Sequence, residues 1–159
     1  MRTFKMLPGE GNNYAPSWTP VVRYSGGSGT AEDPYLIYTA AQMNEIGANP
    51  ADWNKHFKLM ADIDLSSYTG TQFNIIGTDV NPFTGAFDGN NHTISNFTYT
   101  SSATDYVGLF RSIGQGSEIK NLGLLNVDVS GQNYVGGLVG YNYSGNILVP
   151  FPLNKFHFC

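Results

Sequence analysis

Apolar and polar side chains alternate along a stretch in the first half of the chain. Phe57, Leu59 and Ile63 would point to one side of an extended strand. Lys58 and Asp64 would point to the other side. A period of two residues is typical of a β-strand with one buried face. Short apolar runs continue to about residue 139, separated by Gly, Asn and Asp, so the pattern predicts many short strands joined by turns.

This pattern of short strands repeats along the chain. Residues 108–110, Gly-Leu-Phe, return as residues 137–139, Gly-Leu-Val, 29 positions later. Residues 119–122 resemble residues 94–97 at a spacing of 25. Repeats of this length, made of apolar runs punctuated by Gly and Asn, are typical of solenoids. We therefore expect about three stacked coils, each of three short parallel strands.

Parallel stacking would make equivalent residues neighbours in adjacent coils. The strand pattern predicts that Phe87 lies one coil below Phe110. The 25-residue spacing predicts that Asn96 and Asn121 stack at one corner, where amide side chains can bond each other and the turn backbone.

The predicted fold is all-β, a right-handed parallel β-helix over residues 34–147. Thr39 is a suitable N-cap, and Gln42 stands at the third helical position, where it can complete a capping box. These residues predict a short helix near residues 40–46, which would cover the first coil. Residues 1–33 are rich in Pro and Gly and predict an irregular N-terminal segment.

A leucine-rich repeat is the alternative solenoid. Ile119, Leu122 and Leu124 fit the start of its consensus pattern. However, Val127 stands where that pattern needs Asn or Cys, and no helical segment follows. The sequence therefore favours the parallel β-helix.

The amino-acid composition agrees with an all-β fold. Charged residues make up 13% of the chain, whereas 19 of its 159 residues are Gly and 14% are aromatic. A helical bundle would need more Lys, Glu, Ala and Leu. The net charge is −4 and no basic run occurs, so we do not expect binding to nucleic acid or to an anionic membrane. The sequence has no run of about 20 apolar residues, so it does not predict a segment that spans a bilayer.

The two ends of the sequence suggest a piece of a longer protein. The first residues lack the apolar run of a signal peptide. Residues 148–159 do not match the repeat, and two prolines within them cannot continue a central ladder. We expect either a truncated or frame-shifted product of a longer gene or an improvised cap. An open solenoid end would favour self-association.

Two segments carry a resemblance to a known repeat. Residues 134–142, YVGGLVGYN, resemble the GLUG motif, and residues 106–110, YVGLF, are a weaker copy. Three upstream segments, residues 27–46, 56–66 and 83–97, are similar to the stretch that precedes this motif in large bacterial surface and secreted proteins. Such proteins include regions that flank immunoglobulin A1-specific metalloendopeptidases. The resemblance covers about residues 26–147. It implies an extracellular β-helix that serves as a stalk, spacer or adhesive surface, an association made at the level of the fold.

The sequence contains no catalytic motif that we recognise. Residues 26–30 depart from G-x-S-x-G at the last position, and no H-E-x-x-H sequence occurs. Some parallel β-helices are polysaccharide lyases or glycosidases, which need clustered acids on their outer face, often with calcium. Asp62 and Asp64 share a face and are the candidate calcium ligands, with Asp88 expected one coil above. A solvated outer face is the simpler interpretation of these acids.

Tyrosines offer a second candidate site. They could form a stacked ladder whose flat faces meet sugar rings. The alternative is that some of them pack inward or brace corners. The candidate ligand-binding residues are Tyr99, Tyr106, Tyr134, Tyr141 and Tyr143.

Our main hypothesis from the sequence is a non-catalytic, extracellular β-helical scaffold or adhesion repeat of a bacterial surface or secreted protein. It needs no cofactor, and its expected partners are a host or cell-surface protein or a glycan. A carbohydrate-binding module that uses the tyrosines is the alternative. A polysaccharide lyase or glycosidase is the least favoured one.

Overall fold

The computed structural model describes residues 22–149. Most of the predicted irregular N-terminal segment and all but two residues of the off-pattern tail lie outside the described residues. Residues 22–34 form bends without helix or strand. The described chain then folds into short strands and one α-helix near its N-terminal end.

The helix α1 (Ala40–Ala48) lies between the first two strands and is followed by a 3-10 turn at Pro50–Asp52. The strands are β1 (Tyr35–Ile37), β2 (His56–Leu59), β3 (Ile63–Asp64), β4 (Ala86–Asp88), β5 (Thr93–Ser95), β6 (Thr98–Thr100), β7 (Phe110–Ile113), β8 (Glu118–Lys120), β9 (Gly123–Leu125), β10 (Asp128–Ser130), β11 (Val139–Asn142) and β12 (Asn146–Leu148).

Strands from successive coils pair in parallel and form four stacked sheets. The longest sheet has the order β1-β2-β4-β8-β12, and a second has the order β3-β5-β9. The pairs β6-β10 and β7-β11 form the other two. The predicted parallel β-solenoid of about three coils is therefore confirmed. The leucine-rich-repeat alternative is wrong, because the two later coils return through strands, β6 and β7 in one and β10 and β11 in the other, and not through a helix.

A full coil contains four strands, one more than we expected. The extra corner lies at Asn96, whose φ of 57° turns the chain between β5 and β6. Asn tolerates this left-handed conformation better than most residues. Residues 93–100 are thus divided between two sheets.

The register corrects two of the sequence predictions. Phe87 pairs with Phe57 and Ile119, at offsets of 30 and 32 residues, and not with Phe110. Phe110 pairs with Val139 in another sheet, and its ring meets that of Phe87 across the core at 5.4 Å. The second wrong prediction is the stacking of Asn96 on Asn121, which rested on the 25-residue spacing. Asn96 lies between β5 and β6, whereas Asn121 lies between β8 and β9, so the two residues occupy different corners of the coil.

The N-terminal helix begins as predicted and covers the core. The Thr39 Oγ1 accepts a hydrogen bond from the backbone N–H of Gln42 at 3.2 Å. The Gln42 Oε1 accepts one from the backbone N–H of Tyr38 at 2.8 Å, so the Gln reaches back over the first turn. Met43 and Ile46 are fully buried, which closes the first coil against solvent.

The opposite end of the stack is less well covered. Among the described residues, Leu124 is the last that is buried, and residues 125–149 are exposed or half-buried. Leu125 is 44% exposed, Ile147 38% and Leu148 58%. The last coil of the described chain therefore packs against the preceding coil on one side, and its opposite side is exposed to solvent.

Candidate functional site

Three of the five candidate tyrosines meet at one corner of the last two coils. The rings of Tyr106 and Tyr134 stack with centroids 5.0 Å apart and planes 22° apart. Tyr141 contacts Tyr106 at 5.0 Å and Tyr134 at 6.2 Å. We call these three residues the tyrosine cluster. Tyr134 remains 62% exposed despite both contacts.

The other two candidate tyrosines lie elsewhere. Tyr99 is only 8% exposed and lies in the core, where it pairs in register with Val129, so its place in a surface ladder was wrong. The turn at Asn96 sets which side of β6 faces inward, and this turn was not foreseen. Tyr143 is 65% exposed and makes no ring contact with another aromatic residue in the described part of the chain.

Two members of the tyrosine cluster hold an unusual backbone conformation. The φ angle is 59° at Tyr106 and 56° at Tyr134. For a bulky side chain this left-handed region costs about 1–2 kcal/mol. Elsewhere in the described chain the non-glycine residues with positive φ are Asn, with a single Ser. The same left-handed conformation thus recurs at a tyrosine in two successive coils.

Polar groups flank the tyrosine cluster. The Asn133 Nδ2 donates a hydrogen bond to the Asp105 Oδ1 at 2.9 Å, one coil apart and next to the stacked pair. Desolvation raises the pKa of the Tyr106 hydroxyl, and the neighbouring Tyr134 and Asp105 raise it further. A tyrosine hydroxyl is protonated at neutral pH and can donate a hydrogen bond.

The first candidate calcium ligand, Asp62, has its carboxylate in contact with the next coil. Its Oδ1 accepts a hydrogen bond from the backbone N–H of Thr93 at 2.8 Å and lies 3.2 Å from the His92 Nδ1. The Thr93 N–H is the main reason why the pKa of Asp62 lies below its ordinary value, with a smaller contribution from His92. Asp62 thus satisfies a backbone donor at a corner.

The second candidate, Asp64, starts a ladder of side chains that runs from coil to coil. Its Oδ1 accepts hydrogen bonds from the Ser66 backbone N–H and the Asn96 Nδ2, both at 2.9 Å. The Asn96 Oδ1 in turn accepts one from the Asn126 Nδ2 at 3.4 Å. Asn126, not Asn121, is therefore the neighbour of Asn96. The Asn96 amide and then Ser66 hold the pKa of the Asp64 carboxyl below its usual value.

Asp88 does not join these two acids. It lies on the longest sheet, in register with Lys58 and Lys120, and its Oδ1 accepts a hydrogen bond from the Asn121 Nδ2 at 3.0 Å. Within residues 22–149, no group of three or more His, Cys, Asp or Glu side chains gathers as a metal site would need. The acids singled out in the sequence are instead distributed along corners that hold adjacent coils together.

The glycines of the repeated motif act through close backbone approach. A Cβ atom on Gly140 would collide with the backbone of Tyr106, and one on Gly108 would lie 2.6 Å from the Gly140 backbone N. A Cβ on Gly137 would meet only the Val127 side chain, at 3.1 Å. Close approach of successive coils therefore requires glycine at two motif positions, Gly108 and Gly140.

One polar cluster near the first coil was not predicted from the sequence. The Tyr24 hydroxyl donates a hydrogen bond to the Asp52 Oδ2 at 3.0 Å, and the Arg23 Nη1 lies 3.9 Å from the same oxygen. These residues border a cavity of about 220 Å³. Burial, followed by the nearby Asp52 charge, raises the pKa of Tyr24. The two partners are 28 positions apart, which no local motif records.

Comparisons with known proteins place similar segments within much larger proteins. No protein-family model matches the chain, and no solved structure matches it. The chain is 38% identical over 126 residues to a Gly-rich protein of Evansella cellulosilytica whose name assigns it to the membrane. It is 37% identical over 120 residues to halomucin of Haloquadratum walsbyi. Both relatives are far longer.

The matched regions include 76% and 72% of this chain but only 14% and 1% of the two relatives. The chain therefore spans a small part of the proteins that it matches. In residues 22–149, no helix has the length and hydrophobicity needed to cross a bilayer.

Proposed function

We propose that this chain is a non-catalytic structural repeat segment of a longer bacterial surface or secreted protein. Its coils would act as a stalk or spacer, and their outer faces could take part in adhesion. The observation that carries this proposal is the use of the polar corner residues. Asp62, Asp64 and Asp88 all accept hydrogen bonds from the following coil, so their carboxylates help to hold adjacent coils together.

The form of the relatives supports the same proposal. A solenoid grows by adding coils, each of which contacts only its neighbours, so a long surface protein can contain many such segments. The two relatives are much longer than this chain, and one has a name that assigns it to the membrane. The resemblance of residues 106–110 and 134–142 to the GLUG motif agrees with a place in surface or secreted proteins.

Replacing the acids by amides tests this proposal. Asp62→Asn and Asp64→Asn keep the shape and one acceptor oxygen but remove the charge that a lyase or glycosidase would use. We expect modest changes in the midpoint of thermal unfolding and no polysaccharide turnover by the parent chain, measured by the release of reducing ends and of unsaturated products. Turnover by the parent chain that either variant abolishes would contradict the proposal.

A further inference from the structure

The tyrosine cluster is an exposed aromatic surface with hydrogen-bonding groups at its border. Tyr134 and Tyr141 are 62% and 38% exposed, so a substantial part of these aromatic side chains faces solvent. A tyrosine ring offers an apolar face and a hydroxyl together, which suits ligands that alternate apolar and hydroxylated surface. Sugars have this chemistry.

The distances within the cluster decide between two kinds of aromatic site. A cage for an organic cation needs rings separated widely enough for the cation to enter between them, at up to about 6 Å from each ring centroid. Here the centroids of Tyr106, Tyr134 and Tyr141 are only 5.0–6.2 Å from one another, so the rings contact each other directly. The cluster is therefore a platform on which a ligand can lie, and not a cage.

The cost of the backbone at the cluster points to a role for the rings. Tyr106 and Tyr134 occupy positions with positive φ, where the other non-glycine residues of the described chain are Asn or Ser. An Asn at either position would fit the backbone better. The stack alone does not require two tyrosines in this conformation.

The charge around the cluster limits the class of ligand. Asp105 borders it, directly before Tyr106 in the chain, and its carboxylate accepts a hydrogen bond from the Asn133 side chain. This carboxylate would repel a polymer of acidic sugars, but it can accept hydrogen bonds from neutral sugar hydroxyls. Because the surface is open, it fits a segment of an extended polymer better than a small molecule that must be enclosed.

We propose that the tyrosine cluster, together with Asp105 and Asn133, is a binding surface for a neutral polysaccharide. The sugar rings lie against the exposed parts of Tyr134 and Tyr141, and their hydroxyls exchange hydrogen bonds with the tyrosine hydroxyls and the Asp105 carboxylate. This inference goes beyond the structural role and does not depend on where the protein is located in the cell.

Affinity gel electrophoresis tests the inference. The purified chain is run in gels that contain barley β-glucan, hydroxyethylcellulose, starch or mannan, and in a polygalacturonate gel as the acidic comparison. We expect at least one neutral polysaccharide to slow migration and the acidic polymer to leave it unchanged. Tyr134→Asn, which suits the positive φ, should weaken the association about tenfold. Tyr143→Ala is the matched control, because its ring is exposed but outside the cluster.

Each variant is accepted only if its circular dichroism spectrum and unfolding midpoint resemble those of the parent chain. Tyr141→Ala provides a second cluster variant if Tyr134→Asn does not fold. Unchanged migration in every neutral gel would overturn the inference. So would equal binding by the cluster variants and the parent chain, or an equal loss of binding in Tyr143→Ala.

Discussion

The Asn96 side-chain amide donates a hydrogen bond at 2.9 Å to the carboxylate of Asp64, which lies one coil earlier and 32 positions back in the sequence. Asn96 makes this contact from a left-handed backbone conformation that also turns the chain between two sheets. A single residue thus forms the corner and joins it to the coil below. Asp88 with Asn121 and Asp105 with Asn133 repeat the same Asp–Asn contact across coils.

The two roles of Asn96 can be separated by substitution. Asn96→Gly removes the amide but keeps an easy positive φ, so we expect the unfolding midpoint to fall by about 2–4 °C. Asn96→Ala removes the amide and also strains the backbone, so the midpoint should fall further. Differential scanning calorimetry measures both. An Ala variant that is more stable than the Gly variant would refute the corner role.

Asp64 predicts a specific pH dependence of stability. Its pKa is lowered in the folded state, so its contribution is present above the ordinary carboxyl pKa of about 4 and is lost as the pH falls through the lower folded value. Asp64→Asn cannot titrate. The parent chain should unfold at a higher urea concentration than this variant at pH 6. We expect this difference in unfolding midpoint to shrink as the pH falls to 3. A difference that stays constant over this range would show that Asp64 does not contribute in this way.

The surroundings of the motif glycines predict how well each of them tolerates substitution by Ala. Gly140→Ala forces a Cβ against the Tyr106 backbone and should destabilise or displace the last coil. Gly137→Ala meets only the Val127 side chain, which can shift, and should cost much less. Thermal unfolding and amide exchange of residues 123–148 measure the two effects. Gly26→Ala is a control, since its nearest heavy atom would be the Leu36 Cδ1 at 3.5 Å. Equal losses in all three variants would argue against close coil approach at Gly140.

The aromatic core predicts a large effect at one buried position. Phe87 is fully buried, pairs with Phe57 and Ile119, and meets the Phe110 ring across the core. Phe87→Ala should lower the free energy of unfolding by about 3–5 kcal/mol, because a cavity remains between coils. Val80→Ala is the exposed comparison, at 88% exposure, and should change it by less than about 0.5 kcal/mol. Urea titrations give both values, and a small effect at Phe87 would contradict the stacked core.

Several features of the fold were predictable from the sequence because they depend on local pattern. The period of two at Phe57 and Leu59, the repeated Gly-Leu segment and the Thr39 cap all indicated their structures correctly. The exact register was not predictable. It depends on which Asn adopts a positive φ, and one such turn at Asn96 changes which face of the following strand is buried.

The candidate site shows the same limit. Tyr99 follows the turn at Asn96 and therefore faces the core, whereas Tyr134 is exposed at a corner and Tyr106 is half-buried beneath it. Asp62 and Asp64 looked like a paired acidic site because they share one side of a strand. Their partners, Thr93 and Asn96, lie about 30 positions away, and only the stacking of coils brings them together.

The most direct test of the proposed surface repeat is its location on intact cells. Antibodies raised against residues 22–149 would be applied to cells of the source organism before and after permeabilisation, with an antibody to a cytoplasmic protein as the control. We expect labelling of intact cells, which brief protease treatment of those cells removes. Labelling that appears only after permeabilisation, together with the cytoplasmic control, would contradict a role at the cell surface.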